Sequence, residues 1–258
     1  MALDLQAYLN RIGYRGDLAP TLDTLAGLLR AHMIAIPFEA LDVLLGRRIR
    51  LDLDSVQAKL VGARRGGYCF EQATLFAAVL EMLGFRIERH IGRVVLMTPL
   101  EQSPRAHMFV TVDLPEGQFV ADPGFGGPGT CEPLPLSGEA VGQHRLGHDG
   151  GYRVLLNGDT PLWYAELDRV YPVDFEMANH CTATHPDSPF LQRIMIGRVT
   201  PNGRIGLMNR EATFVEGDSR RSFQLEDRAA LRSFLMEHFG IDLPEVETLR
   251  VPLIPEWT

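Results

Sequence analysis

The chain has 258 residues, of which 45% are hydrophobic and 22% are charged, with a net charge of −8. This length and composition are typical of a globular protein with a large core, and the acidic balance argues against binding nucleic acid through a basic face. No run approaches the roughly 18 apolar residues of a membrane span. No export signal is expected at the N-terminus, and three cysteines suit a reducing cytosol, so we expect a cytoplasmic protein that binds no membrane.

The first third of the chain is predicted to be a helical bundle. Asp4 is a plausible N-cap for a first helix, because apolar residues recur at helical spacing after it. A second helix is predicted to begin at Thr21 and to end before Pro37, since the residue before a proline avoids helical geometry. A third, short helix near 55–60 leads into a loop that contains two glycines.

Gly66 and Gly67 precede Cys69 and an apolar run at 73–83 that ends at Gly84. The run predicts a buried helix with Cys69 in its first turn and Gly84 as its C-terminal cap. A thiol in that place meets the positive end of the helix dipole and free backbone N–H groups, which stabilise the reactive thiolate. Cys69 could equally be a small buried hydrophobic residue, because a lone cysteine is weak evidence for catalysis.

Strand patterning replaces helical patterning after this helix. Residues 85–91 alternate between apolar and polar, and 107–114 predict a second, more apolar strand. A turn and a returning strand at 119–122 predict a hairpin. Because His107 begins the first strand of the hairpin and Asp122 ends the second, the hairpin brings these two residues to the same end.

A glycine-rich turn at 122–129 follows the hairpin and contains a Gly-x-Gly-x-x-Gly-like spacing. No helix is predicted after it, so it matches a dinucleotide-binding unit poorly. Such a turn can present N–H groups to a phosphate, or it can be a tight surface loop. Further elements are predicted as strands at 152–156, 163–167, 194–199, 204–208, 213–216 and 222–225, and as a helix at 227–238 that Gly240 ends.

The segment 179–190 is rich in polar residues and prolines and is predicted to be a loop. Its His180, Cys181 and His185 match no usual zinc spacing and do not make a full ligand set, so no metal site is expected. The two histidines are the main rivals to His107 as a catalytic base, but no hairpin delivers an acid to them.

Cys69, His107 and Asp122 form a candidate constellation for acyl transfer. The thiolate attacks an acyl carbon, an imidazolium partner favours the thiolate, and the carboxylate fixes the imidazole tautomer. Backbone N–H groups near the thiol could hold the oxyanion of a tetrahedral intermediate. His144 and His148 are weaker candidates, because they are predicted to lie in a glycine-rich loop.

A series of short motifs occurs in order along the chain. They are Ile36-Pro37-Phe38-Glu39, Arg65-Gly66-Gly67-Tyr68-Cys69-Phe70-Glu71, His107-Met108, Ala121-Asp122-Pro123-Gly124-Phe125-Gly126 and Thr184-His185-Pro186-Asp187-Ser188-Pro189-Phe190. Together they resemble the signature of the arylamine N-acetyltransferases, and the length resembles that of bacterial members. Each piece is short, but the matches extend over about residues 8 to 200 in family order.

The resemblance implies an α+β fold of three domains with a cysteine-protease-like triad. A helical bundle that carries the nucleophile is expected over 1–88 and a β-barrel that carries the histidine and the aspartate over 89–195, followed by an α/β lid over 196–258. No metal and no nucleic acid is implied.

The resemblance also implies a function. Acetyl-coenzyme A (acetyl-CoA) would give its acetyl group to Cys69 of a Cys69-His107-Asp122 triad. The acetyl group would then pass to the nitrogen of an arylamine, arylhydrazine or hydrazide. Phe38 and Phe125 are expected to line the pocket for this acceptor. The residues expected to lie beside the coenzyme are Gly124, Phe125, Gly126, Gly127 and Gly129.

Three other functions are compatible with the same residues. The order Cys, His, Asp also belongs to transglutaminase-like and papain-like hydrolases. A polyketide amide synthase would use the same scaffold with an intramolecular amine. A binding protein that has kept the fold without its activity is the third alternative, against which the intact triad argues.

Overall fold

The computed structural model describes residues 3–257. Its helices are α1 (Leu5–Ile12), α2 (Leu22–Ala35), α3 (Leu41–Leu44), α4 (Leu53–Gln57), α5 (Cys69–Met82), α6 (Pro172–Thr184), α7 (Pro189–Gln192) and α8 (Arg228–Phe239). Its strands are β1 (Phe38–Glu39), β2 (Arg86–Val94), β3 (His107–Leu114), β4 (Gly117–Ala121), β5 (Leu134–Pro135), β6 (His144–Asp149), β7 (Tyr152–Asn157), β8 (Thr160–Ala165), β9 (Met195–Thr200), β10 (Gly203–Met208), β11 (Glu211–Glu216) and β12 (Ser219–Gln224). No helix in this described part is long and apolar enough to cross a membrane.

The helices α1, α2 and α5 form the bundle predicted for the start of the chain. Asp4 caps α1 by accepting a hydrogen bond from the Ala7 N–H at 2.9 Å, and the Thr21 side chain caps α2 in the same way. Leu25 and Phe76 are fully buried in the core between these helices. The predicted caps are therefore confirmed, and they fix the ends of the two helices that pack around α5.

The helix α5 is buried along most of its length. It begins at Cys69, and Gly84 takes a left-handed φ of 84° just beyond its end, as the sequence predicts. Its Phe76 belongs to the core of the bundle, whereas its Phe70 packs with residues of the neighbouring sheet. Because α5 has apolar neighbours on both sides, its sequence shows an apolar run rather than a single stripe.

Seven strands form a barrel-like sheet in the order β5-β4-β3-β2-β8-β7-β6. The predicted hairpin is present, because β3 and β4 pair antiparallel from Val110 opposite Ala121 to Leu114 opposite Gly117. The strand β2 pairs with β3 along its length and with β8 near its end. Trp163 of β8 is fully buried in the core of this sheet.

The second sheet has five strands in the order β1-β9-β10-β11-β12, and α8 packs against it. We refer to this sheet and α8 as the lid. As predicted, α8 begins after Asp227 and ends before Gly240. The edge strand β1, which the sequence did not predict, pairs Phe38 with Gly197. The α+β architecture expected from the sequence is thus present, while the domain boundaries after residues 88 and 195 stay predictions.

Two segments differ from the prediction. The segment 179–190 is not a loop, because its first part completes α6 and its last part begins α7. Two inward-facing residues of α6, Asn179 and Thr182, are polar, so no apolar stripe marks the helix in the sequence. The predicted glycine-rich loop around His144 is instead β6, whose only buried residue is Leu146.

Candidate active site

Cys69 lies at the start of α5, after a turn that has room for glycine only. A Cβ at Gly66 would lie 2.2 Å from the Pro37 carbonyl oxygen, and a Cβ at Gly67 would lie 2.9 Å from an oxygen of Glu71. Close packing rather than a left-handed backbone therefore requires both glycines. The cysteine that follows them is 4% exposed, at the N-terminal end of a helix with free N–H groups.

The loop that ends at Cys69 is joined to the segment that carries Phe38. The Gly67 N–H donates to the Pro37 carbonyl at 3.2 Å, and the Glu39 N–H donates to the Gly67 carbonyl at 3.1 Å. The side-chain amide of Gln72, in the first turn of α5, donates to both carbonyl groups, at 3.1 and 3.2 Å. These bonds hold the Phe38 ring in the same apolar cluster as the nucleophile.

A group of charged side chains, which we call the buried ion cluster, lies beneath this loop. Its members are Glu39, Asp42, Lys59, Arg65 and Glu71. Arg65 Nη2 donates to Glu39 at 2.6 Å and to Asp42 at 3.3 Å. Lys59 Nζ lies 2.7 Å from Asp42 and 2.8 Å from Glu71. Burial lowers the pKa of both cations, but the carboxylates outweigh burial and raise the pKa of Lys59 and of Arg65.

Glu71 connects the buried ion cluster to the segment that carries Cys69. It accepts the N–H of Tyr68, the residue before Cys69, at 3.2 Å. Burial, which the charge of Lys59 offsets only in part, raises the pKa of Glu71 to about 7.

His107, the first residue of β3, is 2% exposed and lies beside Cys69, which favours the charged form of the imidazole. Its Nε2 donates to Asp122 Oδ2 at 2.7 Å, which leaves Nδ1 for the thiol. Burial lowers the pKa of His107, but the Asp122 carboxylate and Cys69 outweigh burial and raise it to about 10. The Cys69 sulfur also lies 3.7 Å from the Ala106 carbonyl oxygen. This environment favours an imidazolium beside the sulfur.

Asp122 holds two donors on one oxygen. Its Oδ2 accepts the His107 Nε2–H and, at 2.9 Å, the Trp163 indole N–H. Its Oδ1 is buried and has no hydrogen-bond partner among residues 3–257. Trp163 is itself held by stacking on Phe109, with ring centroids 4.5 Å apart. Sequence reasoning missed this contact, because a tryptophan in a predicted strand carries no sign of what its N–H will reach.

The residues 124–129, which we call the glycine turn, follow β4 and lie against the nucleophile. A Cβ at Gly124 would lie 2.6 Å from the Cys69 Cα, so only glycine fits there. Gly126 has a left-handed φ of 65°, and a Cβ on it would lie 3.2 Å from the ring of Phe38. The glycine turn therefore passes directly from the sulfur-bearing residue to an aromatic ring of the predicted acceptor pocket.

The far end of the glycine turn meets the lid. The Gly127 carbonyl accepts a hydrogen bond from Arg204 on β10, and the Gly127 N–H lies beside Gly197 on β9. The Gly129 N–H donates to the Gly126 carbonyl at 3.0 Å and closes the turn. The residues predicted to lie beside the coenzyme thus form one continuous surface from the nucleophile to the lid.

The two predicted acceptor-pocket residues lie beside the predicted triad. Phe125 meets the His107 ring edge-on, with centroids 5.2 Å apart. Phe38 lies 6.1 Å from Phe190, which in turn lies 5.6 Å from Tyr68. Phe190, at the start of α7, is an addition that the pocket prediction did not include, although it ends one of the recognised motifs.

The helix α6 holds Tyr68, the residue before Cys69. The Tyr68 hydroxyl donates to the Asn179 side-chain oxygen, and Asn179 Nδ2 donates to the Ile49 carbonyl at 3.1 Å. Asn179 is 7% exposed, which is unusual for an amide unless it is hydrogen-bonded. The segment predicted as a loop therefore contributes to the site through a rigid helix.

The rival histidines lie at the surface. His180, Cys181 and His185 are exposed, and Cys131 is half-buried. Within residues 3–257, no group of three or more His, Cys, Asp or Glu side chains could hold a metal ion. In the same part of the chain, Cys69 is the one buried cysteine, and it lies beside the buried His107.

The geometry is suited to nucleophilic acyl transfer. A thiol, a histidine that can give and take a proton and a carboxylate hydrogen-bonded to the histidine lie next to one another, in that order. The free N–H groups at the start of α5 can receive the oxyanion that forms when a thiolate attacks a carbonyl group.

Comparison with known proteins gives consistent matches over nearly the whole chain. A family model described as N-acetyltransferase matches residues 21–248. The arylamine N-acetyltransferase of Escherichia coli (strain K12) is 37% identical over 254 residues, which are 94% of this chain and 90% of that protein. A Salmonella typhimurium protein named arylamine N-acetyltransferase / N-hydroxyarylamine O-acetyltransferase is 35% identical over the same shares of both chains. The structure of Mycobacterium marinum arylamine N-acetyltransferase in complex with CoA has a TM-score of 0.89 and 35% identity, and the alignment covers 94% of each chain.

Proposed function

We infer that this chain, which belongs to the arylamine N-acetyltransferase family, is an acyltransferase that moves an acetyl group from acetyl-CoA to the nitrogen of an arylamine, arylhydrazine or hydrazide. The observation that carries this function is the contact of Cys69 with a buried His107 that Asp122 orients. The relative solved in complex with CoA supports acetyl-CoA as the donor.

In the first half-reaction the Cys69 thiolate attacks the carbonyl carbon of the acetyl thioester. The bond between that carbon and the coenzyme sulfur breaks, and coenzyme A leaves with the proton of the His107 imidazolium. The products are an acetyl thioester on Cys69, a neutral imidazole and free coenzyme A. Asp122 keeps the remaining ring proton on Nε2, so that Nδ1 faces the reacting atoms.

In the second half-reaction the acceptor nitrogen attacks the acetyl carbon on Cys69. The carbon–nitrogen bond forms, the carbon–sulfur bond breaks, and His107 takes a proton from the nitrogen. The N-acetyl product leaves, and the thiolate and imidazolium are restored. Because coenzyme A leaves before the acceptor reacts, the kinetics follow a ping-pong scheme.

The aromatic side chains beside the site favour a flat acceptor over water. Phe38 and Phe190 are ring neighbours, and Phe125 meets the edge of His107. A flat acceptor held by these rings has its nitrogen oriented at the thioester, an advantage of orientation that a water molecule lacks. The apolar rings explain acceptance of aromatic amines as a class rather than of one amine.

The test measures coenzyme A and the acetylated amine together. Without an acceptor, acetyl-CoA should give a rapid release of about one equivalent of coenzyme A followed by slow hydrolysis, as expected for an acyl-enzyme. Peptide mapping by mass spectrometry should find the acetyl group on Cys69. With an arylamine or a hydrazide, steady release should accelerate, and N-acetyl product should match coenzyme A mole for mole.

Three outcomes would contradict the proposal. An acetyl label on Cys131 or Cys181 would refute Cys69 as the nucleophile. Release of coenzyme A that is equally fast with and without an amine, and that yields no acetylated amine, would indicate a thioesterase-like hydrolase. Cleavage of a peptide in the absence of acetyl-CoA would indicate a cysteine peptidase.

The same acyl-enzyme suggests a second acceptor class. The relative from Salmonella typhimurium carries both N-acetyltransferase and O-acetyltransferase in its name. A hydroxyl on the nitrogen of an arylamine can attack the thioester from nearly the same place as the amine, with His107 again taking the proton. Mass spectrometry of the products from an N-hydroxyarylamine would detect O-acetyl transfer, and unreacted starting material would refute it.

A further inference from the structure

One buried histidine has no part in the proposed reaction. His32, on α2, is fully buried. Its Nδ1 lies 2.9 Å from the hydroxyl oxygen of Tyr8 on α1, and its Nε2 lies 2.7 Å from the side-chain oxygen of Gln72 on α5. Tyr8 is 0% exposed and Gln72 is 1% exposed. The three side chains, one from each helix of the bundle, therefore form a single hydrogen-bonded chain that does not meet solvent.

The far end of this chain fixes the direction of every hydrogen bond in it. The Gln72 amide nitrogen donates to the carbonyl groups of Pro37 and Gly67, so the Gln72 oxygen is the atom turned to His32. An amide oxygen only accepts, so His32 Nε2 carries the proton. Burial lowers the pKa of His32 to about 4, so near neutral pH the ring is uncharged and Nδ1 accepts from the Tyr8 hydroxyl. Burial also raises the pKa of Tyr8, which keeps its hydroxyl proton.

The Gln72 amide bridges two segments on which the proposed reaction depends. Gly67 lies in the loop before Cys69, and Pro37 precedes Phe38, whose ring is predicted to line the acceptor pocket. Phe38 and Gly67 also pair in an isolated parallel bridge. Because the amide donates to a carbonyl group on each segment, it fixes the spacing between this wall of the pocket and the predicted nucleophile.

His32 and Tyr8 determine which way the Gln72 amide faces. The two ends of an amide group have nearly the same shape, so a turned amide would aim its oxygen at the two carbonyl groups and lose both bonds. The Nε2–H of His32 opposes this turn, because only the amide oxygen can accept its proton. The Tyr8 hydroxyl occupies Nδ1 and so keeps the ring proton on Nε2. Each bond of this buried network therefore supports the next one.

We propose that Tyr8, His32 and Gln72 are positioning residues for the acceptor: their directed chain of hydrogen bonds holds the Phe38 ring where a flat amine can reach the thioester on Cys69. The proposal rests on the proposed function, because it takes an arylamine as the acceptor. The three side chains act through backbone carbonyl groups and not through contact with the substrate. Breaking the chain should therefore weaken the reaction of aromatic acceptors selectively, while acetyl-CoA still acetylates the enzyme.

The test compares aniline, a flat amine, with hydrazine, an acceptor that has no ring. The quantity measured is the ratio of kcat/KM for aniline to kcat/KM for hydrazine, in which changes to the shared acetyl-enzyme cancel. Gln72→Met keeps the size of the side chain but removes the bridge, and it should lower the ratio about tenfold, mostly through a higher KM for aniline. Tyr8→Phe removes only the hydroxyl at the outer end of the chain and should lower the ratio about threefold. Both variants should still release about one equivalent of coenzyme A in the initial burst.

A control variant and a measurement on the wild type sharpen the test. Ile12→Val is the matched control, because Ile12 is buried on the same helix as Tyr8 and has an apolar side chain outside the hydrogen-bonded chain. It should lower the urea midpoint by an amount comparable to that of Tyr8→Phe and leave the ratio unchanged. In the wild type, the nitrogen chemical shifts of the His32 ring, measured by NMR at neutral pH, should show an uncharged imidazole with its proton on Nε2.

The outcomes separate this proposal from the proposed function. If the wild type acetylates aniline and the ratio is unchanged in both Gln72→Met and Tyr8→Phe, the chain does not position the acceptor, while the proposed function stands. If the wild type acetylates neither aniline nor hydrazine, the proposed function itself fails. A ratio that falls equally in Ile12→Val would show a general loosening of the bundle and would overturn the proposal. An imidazolium at His32, or a neutral ring with its proton on Nδ1, would overturn it as well.

Discussion

Two buried charged systems lie on either side of Cys69, and they differ in how many charged partners each group has. In the buried ion cluster, Lys59 contacts two carboxylates and Asp42 contacts several cations. On the other side, the charged groups form a single chain from Cys69 through His107 to Asp122, and the second donor to Asp122 is the neutral indole N–H of Trp163. The Asp122 Oδ1 atom has no partner at all in the described part of the chain.

The difference in the number of partners corresponds to two different roles of the charged systems. A charge with several partners is held even if one partner shifts, so the buried ion cluster is suited to fixing the loop before Cys69. In a single chain, each change of protonation at His107 is felt directly by the sulfur and by Asp122. One substitution in the chain from Cys69 to Asp122 should therefore lower the reaction rate. One substitution in the buried ion cluster should instead lower the stability of the fold.

The largest effect is expected for Asp122→Asn. The amide keeps the shape but removes the charge and can select the wrong imidazole tautomer, and the comparable change in a serine triad costs about ten-thousand-fold in rate. Steady-state acetylation, with circular dichroism to verify the fold, measures the effect. Turnover near that of the wild type in a folded variant would show that another group orients His107.

Lys59→Met should destabilise the fold, and it should reduce the activity of the folded protein much less than Asp122→Asn does. Removing one partner of a buried ion pair costs about 3 kcal/mol, because the other charge stays buried. Urea unfolding at pH 8 should show this loss. The exposed pair of Arg89 with Glu81 supplies the control, since Arg89→Met should change stability little. If the folded Lys59 variant lost as much activity as Asp122→Asn, the division between the two charged systems would be wrong.

The loss in Lys59→Met should also depend on pH. Burial raises the pKa of Glu71 from its ordinary value of 4.5 to about 7. A carboxyl group with a raised pKa in the folded state favours folding at low pH, and this contribution disappears as the pH rises through about 7. Without Lys59 the Glu71 pKa rises further, so the variant should lose less stability at acid pH than at pH 8. If the urea midpoints of the wild type and of Lys59→Met change in parallel with pH, the proposed coupling between Lys59 and Glu71 is wrong.

Trp163→Phe should lower kcat, but by less than Asp122→Asn does. The variant keeps an aromatic ring on Phe109 but removes the N–H that Asp122 accepts. Losing one hydrogen bond to a charged group corresponds to about tenfold, and KM for the acceptor should stay near the wild-type value. A change confined to KM would show that Trp163 shapes the pocket and does not hold Asp122.

The smallest effect is expected for pH on the rate at which iodoacetamide alkylates Cys69. Because His107 has a pKa of about 10, it stays charged beside the sulfur across neutral pH. The alkylation rate should therefore be nearly constant between about pH 6 and about pH 9. A free thiol ionises near pH 8.5, so a rate that climbs steadily through that value would contradict a preformed ion pair. In the Asp122→Asn variant the alkylation rate should again rise with pH.

The sequence was informative where local signals are strong. The glycines before Cys69, the apolar run of α5 and the hairpin that joins His107 to Asp122 all follow from short patterns, and the structure brings the three side chains together. The family motifs added the site roles, which stay predictions until the variants are measured.

The remaining contacts join residues that are distant in the chain. Trp163 reaches Asp122, Asn179 reaches Tyr68, and Arg204 reaches Gly127. Nothing in the local sequence of either partner marks such a bond. The helix that contains Asn179 was missed for a related reason, because its inward side is partly polar and resembles a loop.

The two-residue strand β1 has a consequence for the order in which the protein assembles. Phe38 pairs with Gly197, so closing this contact must bring together the two ends of a very long chain segment, and such contacts form slowly. During synthesis the segment around Phe38 leaves the ribosome long before β9 exists. A nascent or truncated chain that stops before β9 therefore has its triad residues but an incompletely anchored acceptor wall. Acetyl transfer should appear late in refolding, after the helical signal is complete.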